Sequence, residues 1–180
     1  GINLTAYGQD TGGSIADAVE AACAVPGIAR AVVRANADSL PAAEHIALEP
    51  CEEGALVTAT GIAGHASLPA GTVNAIAVLC RYLLGCGICT EQEQAWLRFA
   101  AEMAECTDGS AFGVACRDDD FQDLTSVIGM MNKVEGRYVM TEDIRFPAAI
   151  TGEKLERIFV DLAARHGATA EVTSNKPPFV

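Results

Sequence analysis

The last third of the chain carries the pattern that most restricts the fold. Residues 125–134 and 138–144 are rich in β-branched and aromatic side chains, and the short loop at 135–137 predicts a β-hairpin between them. Residues 151–165 then carry apolar side chains at helical spacing, and residues 168–173 predict a final strand. Strand, strand, helix and strand in this order are half of a split βαβ plait. The pattern predicts an α+β class with antiparallel sheets.

Glycine and proline divide the rest of the chain into further segments. Apolar side chains at helical spacing predict helices over 15–22, 40–48, 73–85 and 91–106. Runs of β-branched residues predict strands over 28–33 and 54–62. Both halves of the chain are thus expected to form split βαβ, ferredoxin-like plaits, with helices on one face of antiparallel sheets.

Composition limits the classes of partner. Half of the 180 residues are hydrophobic and 20% are charged, which gives ample material for a core and excludes disorder as the main character of the chain. Lys and Arg total 12 against 24 Asp and Glu, a net charge of −12, so nucleic acid and anionic membranes are not expected as partners. No apolar run reaches the ~18 residues of a membrane span, and no signal peptide is expected.

The cysteines predict reduced thiols and not a disulfide framework. The chain has seven of them, an odd number at irregular spacing, which is typical of core thiols in a cytoplasmic protein. Cys86 and Cys89 form a Cys-x-x-Cys pair, but a structural zinc ion needs four ligands and no second pair of this kind follows. We therefore expect small apolar residues at a helix end here, and no metal site.

The residues that commonly carry out catalysis are scarce. The three histidines, His45, His65 and His166, lie on separate predicted elements, and the sequence has neither a Gly-x-Ser-x-Gly elbow nor a phosphate-binding loop. The acidic run at 118–120 lacks the alternating ligands of a calcium loop, so a solvated loop is the preferred interpretation. Neither the histidines nor the acidic run supports a metal centre within the chain itself.

Two residues are candidates for a functional site. His65 lies among small residues in a loop between a predicted strand and a strong predicted helix, where functional side chains are often found. Arg145 ends a predicted strand, where its guanidinium can bind a carboxylate through two hydrogen bonds. A salt bridge to one of the many acidic residues is an equally good explanation of Arg145.

Two motifs resemble a known family. Residues 64–69 read GHASLP and residues 71–76 read GTVNAI, similar to the GHAS-x-P and G-x-NAI signature of peptidase-V-like dipeptidases. Residues 119–129 and the DIRFP sequence at 143–147 are similar to two later segments of the same enzymes. These dipeptidases belong to a superfamily of di-zinc metallopeptidases that includes aminoacylases and carboxypeptidases. The resemblance covers roughly residues 54–180.

The resemblance implies a lid domain of a cytoplasmic metallopeptidase. Such a lid closes on a catalytic domain that holds two zinc ions, or manganese, and that has no counterpart in residues 1–180. His65 matches the lid histidine that stabilises the oxyanion, and Arg145 matches the lid arginine that holds the carboxylate of a short peptide substrate. The family asparagine is matched by Asn36 in chemistry, whereas Asp38 has the right distance from a proline. Sub-domains of about 1–107 and 108–180 are expected.

Two alternatives remain open on the sequence. The lid could belong to a related acyl-amino-acid hydrolase or carboxypeptidase, with a different substrate pocket. The chain could also be a stand-alone plait module that only associates with a partner. Because one plait needs only about half of this length, two plaits packed side by side would favour a monomer.

Overall fold

The computed structural model describes residues 1–10, 13, 15–21, 25–117 and 123–176. The described residues form eight strands in one antiparallel sheet, whose order across the sheet is β4-β5-β3-β2-β6-β7-β1-β8. The strands are β1 Ile2–Asp10, β2 Ile15–Ala21, β3 Ile28–Val33, β4 Ile46–Cys51, β5 Gly54–Thr60, β6 Thr125–Val134, β7 Arg137–Arg145 and β8 Thr169–Asn175. The helices are α1 Ala75–Gly85, α2 Glu91–Glu105 and α3 Gly152–Arg165, with short 3-10 turns at 37–39 and 110–112.

The α+β class with antiparallel strands and helices packed on the sheet is confirmed. Helices α2 and α3 pack on the part of the sheet formed by β6, β7, β1 and β8, in the arrangement of a split βαβ plait. Helix α1 packs on β3 and β5 in the other half of the sheet. Strand β1 lies between β7 and β8, so the half of the sheet that contains the C-terminal strands also contains the first strand of the chain. The division near residue 107 stays a prediction, and any such division has to assign β1 to the C-terminal part.

One core lies between the sheet and the helices. Along β7 the side chains alternate between buried and partly exposed, and the buried apolar ones belong to the same cluster as the apolar faces of α1, α2 and α3. Paired residues such as Ala31 and Val57, or Ile2 and Ile144, point into this cluster together. We call this side of the sheet the helix face. The other side, which the helices leave uncovered, is called the open face.

Caps fix the ends of the helices. Thr90 and Glu93 form a reciprocal capping box at the start of α2, as the sequence T-E-Q-E permits. Asn74 caps α1 by accepting a hydrogen bond from the Ile76 amide at 3.0 Å, and its side-chain nitrogen donates to the Ile128 carbonyl at 2.8 Å. The second bond ties the start of α1, and the loop before it, to strand β6.

Two of the predicted helices are wrong. Residues 15–22 were expected to be helical, but Ile15–Ala21 is a strand that pairs with β3 and β6. Residues 40–48 were also expected to be helical, but a turn at 44–45 leads into strand β4, which pairs with β5. In both cases the pairing partners are distant in sequence and outweigh local helix propensity. Strand β1 was not predicted at all, although Ile2, Leu4 and Ala6 alternate with polar residues as a half-buried strand requires.

No helix in the described part of the chain is both long enough and apolar enough to cross a bilayer.

Candidate functional site on the open face of the sheet

The loop at residues 61–73, between β5 and α1, is held against the open face. Ile62 and Val73 exchange backbone hydrogen bonds of 2.8 and 3.0 Å, and the Val25 amide donates to the Gly64 carbonyl at 3.0 Å. A Cβ at Gly61 would collide with the backbone of Val73, so only glycine permits this approach. These contacts make residues 61–73 a fixed loop rather than a free one.

Ala66 anchors the middle of this loop. It is buried in a small cluster with Val25 and Val127, separate from the main core on the helix face. The neighbouring residue His65 is exposed. Residues 65–68 form a turn, in which the Leu68 amide donates to the His65 carbonyl at 3.1 Å. The loop therefore presents the imidazole to solvent from an anchored backbone.

The His65 ring is oriented by Ser67. The Ser67 backbone amide lies 3.3 Å from His65 Nδ1, and Ser67 Oγ lies 2.6 Å from the same nitrogen. Because an amide N–H can only donate, Nδ1 is the acceptor, and the neutral ring carries its proton on Nε2. The arrangement leaves Nε2–H as a donor without a partner among the described residues.

Arg145 is paired with its neighbour on the same strand. Its Nε lies 2.9 Å from Asp143 Oδ1 and its second guanidinium nitrogen lies 3.3 Å from Oδ2, a two-pronged ion pair. The hydrogen bond to Asp143, and then its charge, raise the pKa of Arg145 above its usual value. The Arg145 side chain is nevertheless 58% exposed, so the guanidinium remains accessible to solvent.

The strand register places His65 and Arg145 on the same face of the sheet. Val127, which packs against Ala66, pairs directly with Asp143 across β6 and β7. Paired residues share a face, and residues two apart on a strand share it too, so Asp143 and Arg145 point to the open face. The contacts thus run from the His65 loop through Val127 to Asp143 and its partner Arg145.

The structure does not bring Asn36 to this region. Asn36 follows β3, at the end of the sheet where Val33 pairs with Ala55, whereas His65 follows β5 near the pair of Ile28 and Thr60. The two ends are about 17 Å apart along the strands, given ~3.4 Å per residue. The Asn36 side chain accepts a hydrogen bond from the Asp38 amide at 3.0 Å and caps the 3-10 turn at 37–39. Asp38 lies in the same exposed turn.

The surroundings of His65 are apolar and uncharged. Within the described residues, five large hydrophobic side chains are exposed, and four of them lie in or beside this loop: Ile28, Ile62, Leu68 and Val73. Leu68 is 65% exposed only three residues from His65. Residues 61–73 contain no Asp, Glu, Lys or Arg, although the chain carries a net charge of −12. An apolar rim therefore borders the imidazole, and such a patch is typical of a binding surface.

The other histidines serve local structure. His45 lies in the turn before β4 with a left-handed backbone, φ 65°, and its carbonyl accepts a hydrogen bond from the Thr60 amide at 2.9 Å. His166 caps the end of α3 and stacks on Phe99, with ring centroids 4.7 Å apart. Neither one lies in the loop at 61–73.

The cysteine pair ends a helix, as the sequence predicts. Cys86 is the C-cap of α1, and the Cys89 thiol lies 3.5 Å from the Leu83 carbonyl. Both are half-buried against the core, and burial raises the pKa of the Cys86 thiol. Across the described residues, no three His, Cys, Asp or Glu side chains come together in a way that could hold a metal ion. The acidic run at 118–120 lies outside the described residues.

Ser67 and Asp143 are the residues that the motif interpretation left without a role. Both lie two positions from the residue that they hold, Ser67 after His65 and Asp143 before Arg145. On a strand, this spacing alone puts two side chains on one face, so the Asp143–Arg145 pair could be inferred from the sequence. The Ser67 contact depends on a tight turn, which the sequence does not specify.

No family of known proteins matches this chain in sequence, and no curated protein sequence matches it. The assignment to the dipeptidases and their relatives therefore stays a prediction that depends on the motifs at 64–76 and 119–147.

Proposed function

We propose that this chain is the lid domain of a metal-dependent dipeptidase that hydrolyses short peptides. The observation that carries the proposal is the exposed His65 imidazole, whose Nδ1 accepts from Ser67 and whose Nε2–H is left as a donor. Arg145 on the same face supplies a cation at the end of β7, which pairs with β6, the strand of Val127. The two residues are those that the family resemblance singles out for work on the substrate.

His65 would act on the oxygen of the scissile carbonyl. As the peptide bond is attacked, this oxygen gains negative charge, and a donor held in place stabilises it without further reorganisation. The Ser67 contacts hold the ring, and the contact of Ala66 with Val127 holds the loop. His65 then contributes more to the transition state than to the bound substrate.

Arg145 would hold the terminal carboxylate of the peptide. In the isolated chain the Arg145 guanidinium donates to the Asp143 carboxylate, so a substrate carboxylate has to bind beside Asp143 or displace it. A planar guanidinium can do so because it has five N–H donors, of which Asp143 engages two. Closure of the lid would place this cation and His65 over the same substrate.

The metal ions implied by the resemblance do not match the residues of this chain. None of the described side chains form a group of three potential ligands, and the two zinc ions would belong to a catalytic domain outside residues 1–180. The isolated chain is expected to hydrolyse nothing, and calorimetric titration with zinc should reveal no stoichiometric high-affinity site.

The decisive experiment uses the protein in which this lid is joined to its catalytic domain. His65→Ala should lower kcat by on the order of 10²–10³ with little change in KM, the scale of losing one oxyanion donor. Arg145→Ala should raise KM instead, and Arg145→Lys should restore it only partly because Lys lacks the planar fork.

The matched control is Arg30→Gln, an exposed arginine on strand β3 outside the His65 loop, which should leave both constants unchanged. Normal turnover by folded His65→Ala would exclude the proposed role. A related acyl-amino-acid hydrolase would show the same response to His65→Ala but prefer acylated amino acids over dipeptides. A stand-alone module would lack any flanking metal-binding sequence in its reading frame.

A further inference from the structure

Lys176 and Arg145 flank the same residue, Gly1, at one end of the sheet. The Gly1 nitrogen donates to the Lys176 carbonyl at 2.5 Å and the Lys176 amide donates to the Gly1 carbonyl at 2.8 Å, so these two residues are directly opposite each other. On the other side, the register of β1 with β7 pairs Ile2 with Ile144. The preceding residue, Gly1, therefore lies opposite Arg145. The three residues form one row across the ends of three strands.

This row belongs to the open face. Directly opposite residues of neighbouring strands share a face, and the register of β7 with β6 already places Arg145 on the open face. Asn175, the residue before Lys176, points to the helix face, since a Cβ at Gly152 of α3 would lie 2.6 Å from its side-chain nitrogen. Alternation along the strand then directs Lys176 to the open face, where it is exposed.

Gly1 contributes no side chain between the two cations. A Cβ at Gly1 would lie 2.9 Å from Arg145 Cδ and 3.4 Å from its Nε, so the arginine stem lies over the glycine. Two strand spacings of ~4.8 Å separate the backbones of Arg145 and Lys176, about 10 Å in all. Since lysine has a flexible four-carbon stem, its ammonium group can reach the same ligand as the guanidinium.

The charges in this row favour the binding of an anion. Arg145 is already paired with Asp143, and this pair adds no net charge in a chain whose net charge is −12. Lys176 forms no ion pair or side-chain hydrogen bond among the described residues. Burial and then the charge of Arg145 lower the pKa of the Gly1 amino group, and the charge of Lys176 lowers it further. Both cations therefore act at the same place, and the lysine is the unpaired one.

We propose that Lys176 is a second substrate-binding residue, which holds the terminal carboxylate of the peptide together with Arg145. The identity of the ligand rests on the proposed function, whereas the pair of cations does not. Arg145 offers the donors that Asp143 leaves free, and Lys176 supplies a charge from the other side of Gly1. Two cations on one carboxylate select peptides with a free C-terminus over their amides.

The first experiment uses the protein in which this lid is joined to its catalytic domain. Lys176→Gln should raise KM for a free dipeptide about 10-fold with little change in kcat, the scale of one hydrogen bond to a charged group. Lys176→Arg keeps the positive charge and should restore most of the loss. The matched control is Lys154→Gln, which removes an exposed lysine of α3 outside this row and should leave both constants unchanged.

A binding experiment on the 180-residue chain separates this inference from the proposed function. N-acetylglycine should shift the backbone amide signals of Arg145 and Lys176 along one saturable curve in nitrogen-correlated NMR spectra. The dissociation constant should be on the order of 10 mM for a ligand of this size. N-acetylglycinamide, which lacks the carboxylate, should shift neither signal. Lys176→Gln should weaken the binding of N-acetylglycine about 10-fold, and Lys154→Gln should not change it.

Three results would overturn the role of Lys176. One is a raised KM in Arg145→Ala together with an unchanged KM in Lys176→Gln, which leaves the proposed function intact. The second is equal binding of N-acetylglycine by the parent chain and by Lys176→Gln. The third is an equal loss of affinity in Lys154→Gln, which would show a general effect of charge. If the joined protein cleaves no dipeptide while the 180-residue chain binds N-acetylglycine through Lys176, the proposed function fails and the carboxylate site stands.

Discussion

The two faces of the sheet differ in how much of their surface is buried. On the helix face, α1, α2 and α3 cover alternating strand residues and bury them almost completely in one cluster. On the open face, the loop at 61–73 covers part of the sheet through the contact of Ala66 with Val127, and the side chains of His65 and Arg145 remain exposed. The free energy of folding therefore comes chiefly from one face, and the other is left available for recognition.

The buried carboxylate of Glu142 gives the largest expected difference between the faces. Glu142 lies on β7 beside Asp143, but points to the helix face, where it is fully buried and accepts a hydrogen bond from Ser126. Burial raises its pKa to about 8, while the Ser126 hydrogen bond acts in the opposite direction. The unfolded carboxyl has an ordinary pKa near 4.5, so the folded chain holds this proton more tightly.

This shift predicts a pH-dependent loss of stability. The contribution of Glu142 to the free energy of unfolding is fully present below about pH 4.5 and is lost as the pH rises through 8. Once Glu142 loses its proton, the folded state has to keep a charge buried in the core. Glu142→Gln carries no such proton. It should match the parent chain near pH 4.5 and be more stable by about 4 kcal/mol at pH 8, measured by urea unfolding.

The neighbouring position on the open face is the control for this prediction. Asp143→Asn removes the exposed ion pair with Arg145 and should change the free energy of unfolding by less than about 1 kcal/mol at either pH. If Glu142→Gln and the parent chain lose stability in parallel between pH 5 and 8, the buried carboxyl is not the titrating group.

Two glycines test a smaller contrast, between the packed core and an exposed helix end. A Cβ at Gly8 would lie 2.9 Å from Cε3 of Trp96, which is itself packed between Tyr138 and Phe99. Gly8→Ala should therefore destabilise the chain by about 1–3 kcal/mol through overpacking. A Cβ at Gly85, at the exposed end of α1, would contact nothing within 4 Å, so Gly85→Ala should stabilise by up to about 1 kcal/mol.

Thermal or urea unfolding of the two alanine variants measures this difference directly. A neutral result for Gly8→Ala would mean that Trp96 can shift at no cost, and that its packing against Tyr138 and Phe99 is less rigid than the ring contacts indicate.

The sequence was informative where local pattern and final environment agree. Helix α2 has both a capping box and a clear apolar stripe, and strand β7 alternates regularly between buried and partly exposed residues, so these elements could be predicted. Strand β2 was mistaken for a helix because its alanine-rich sequence has high helix propensity. Its strand conformation depends on pairing with β3 and β6, and no local signal reports on partners so distant in sequence.

The candidate site was predictable residue by residue but not in its geometry. His65 and Arg145 could be selected from their motifs, and both are exposed on the open face. Their common face depends on the register of β6 with β7 and on the packing of Ala66 against Val127, which are long-range features. Asn36 was selected by chemistry alone, and the strand register separates it from the other two.

The smallest expected effect is also the sharpest test of the open face. Ser67→Ala removes the hydroxyl that lies 2.6 Å from His65 Nδ1 and leaves the weaker amide contact at 3.3 Å. Because this loop side chain is remote from the main core, the free energy of unfolding should change by less than about 0.5 kcal/mol. The His65 imidazole nitrogen chemical shifts, measured in long-range NMR spectra at alkaline pH, should nevertheless change. The reason is that the Nε2–H tautomer loses the shorter of the two hydrogen bonds that Nδ1 accepts. His45 and His166 serve as internal references, because neither contacts Ser67. A parent chain in which His65 carries its proton on Nδ1 would contradict the assigned donor, and with it the geometry on which the oxyanion role depends.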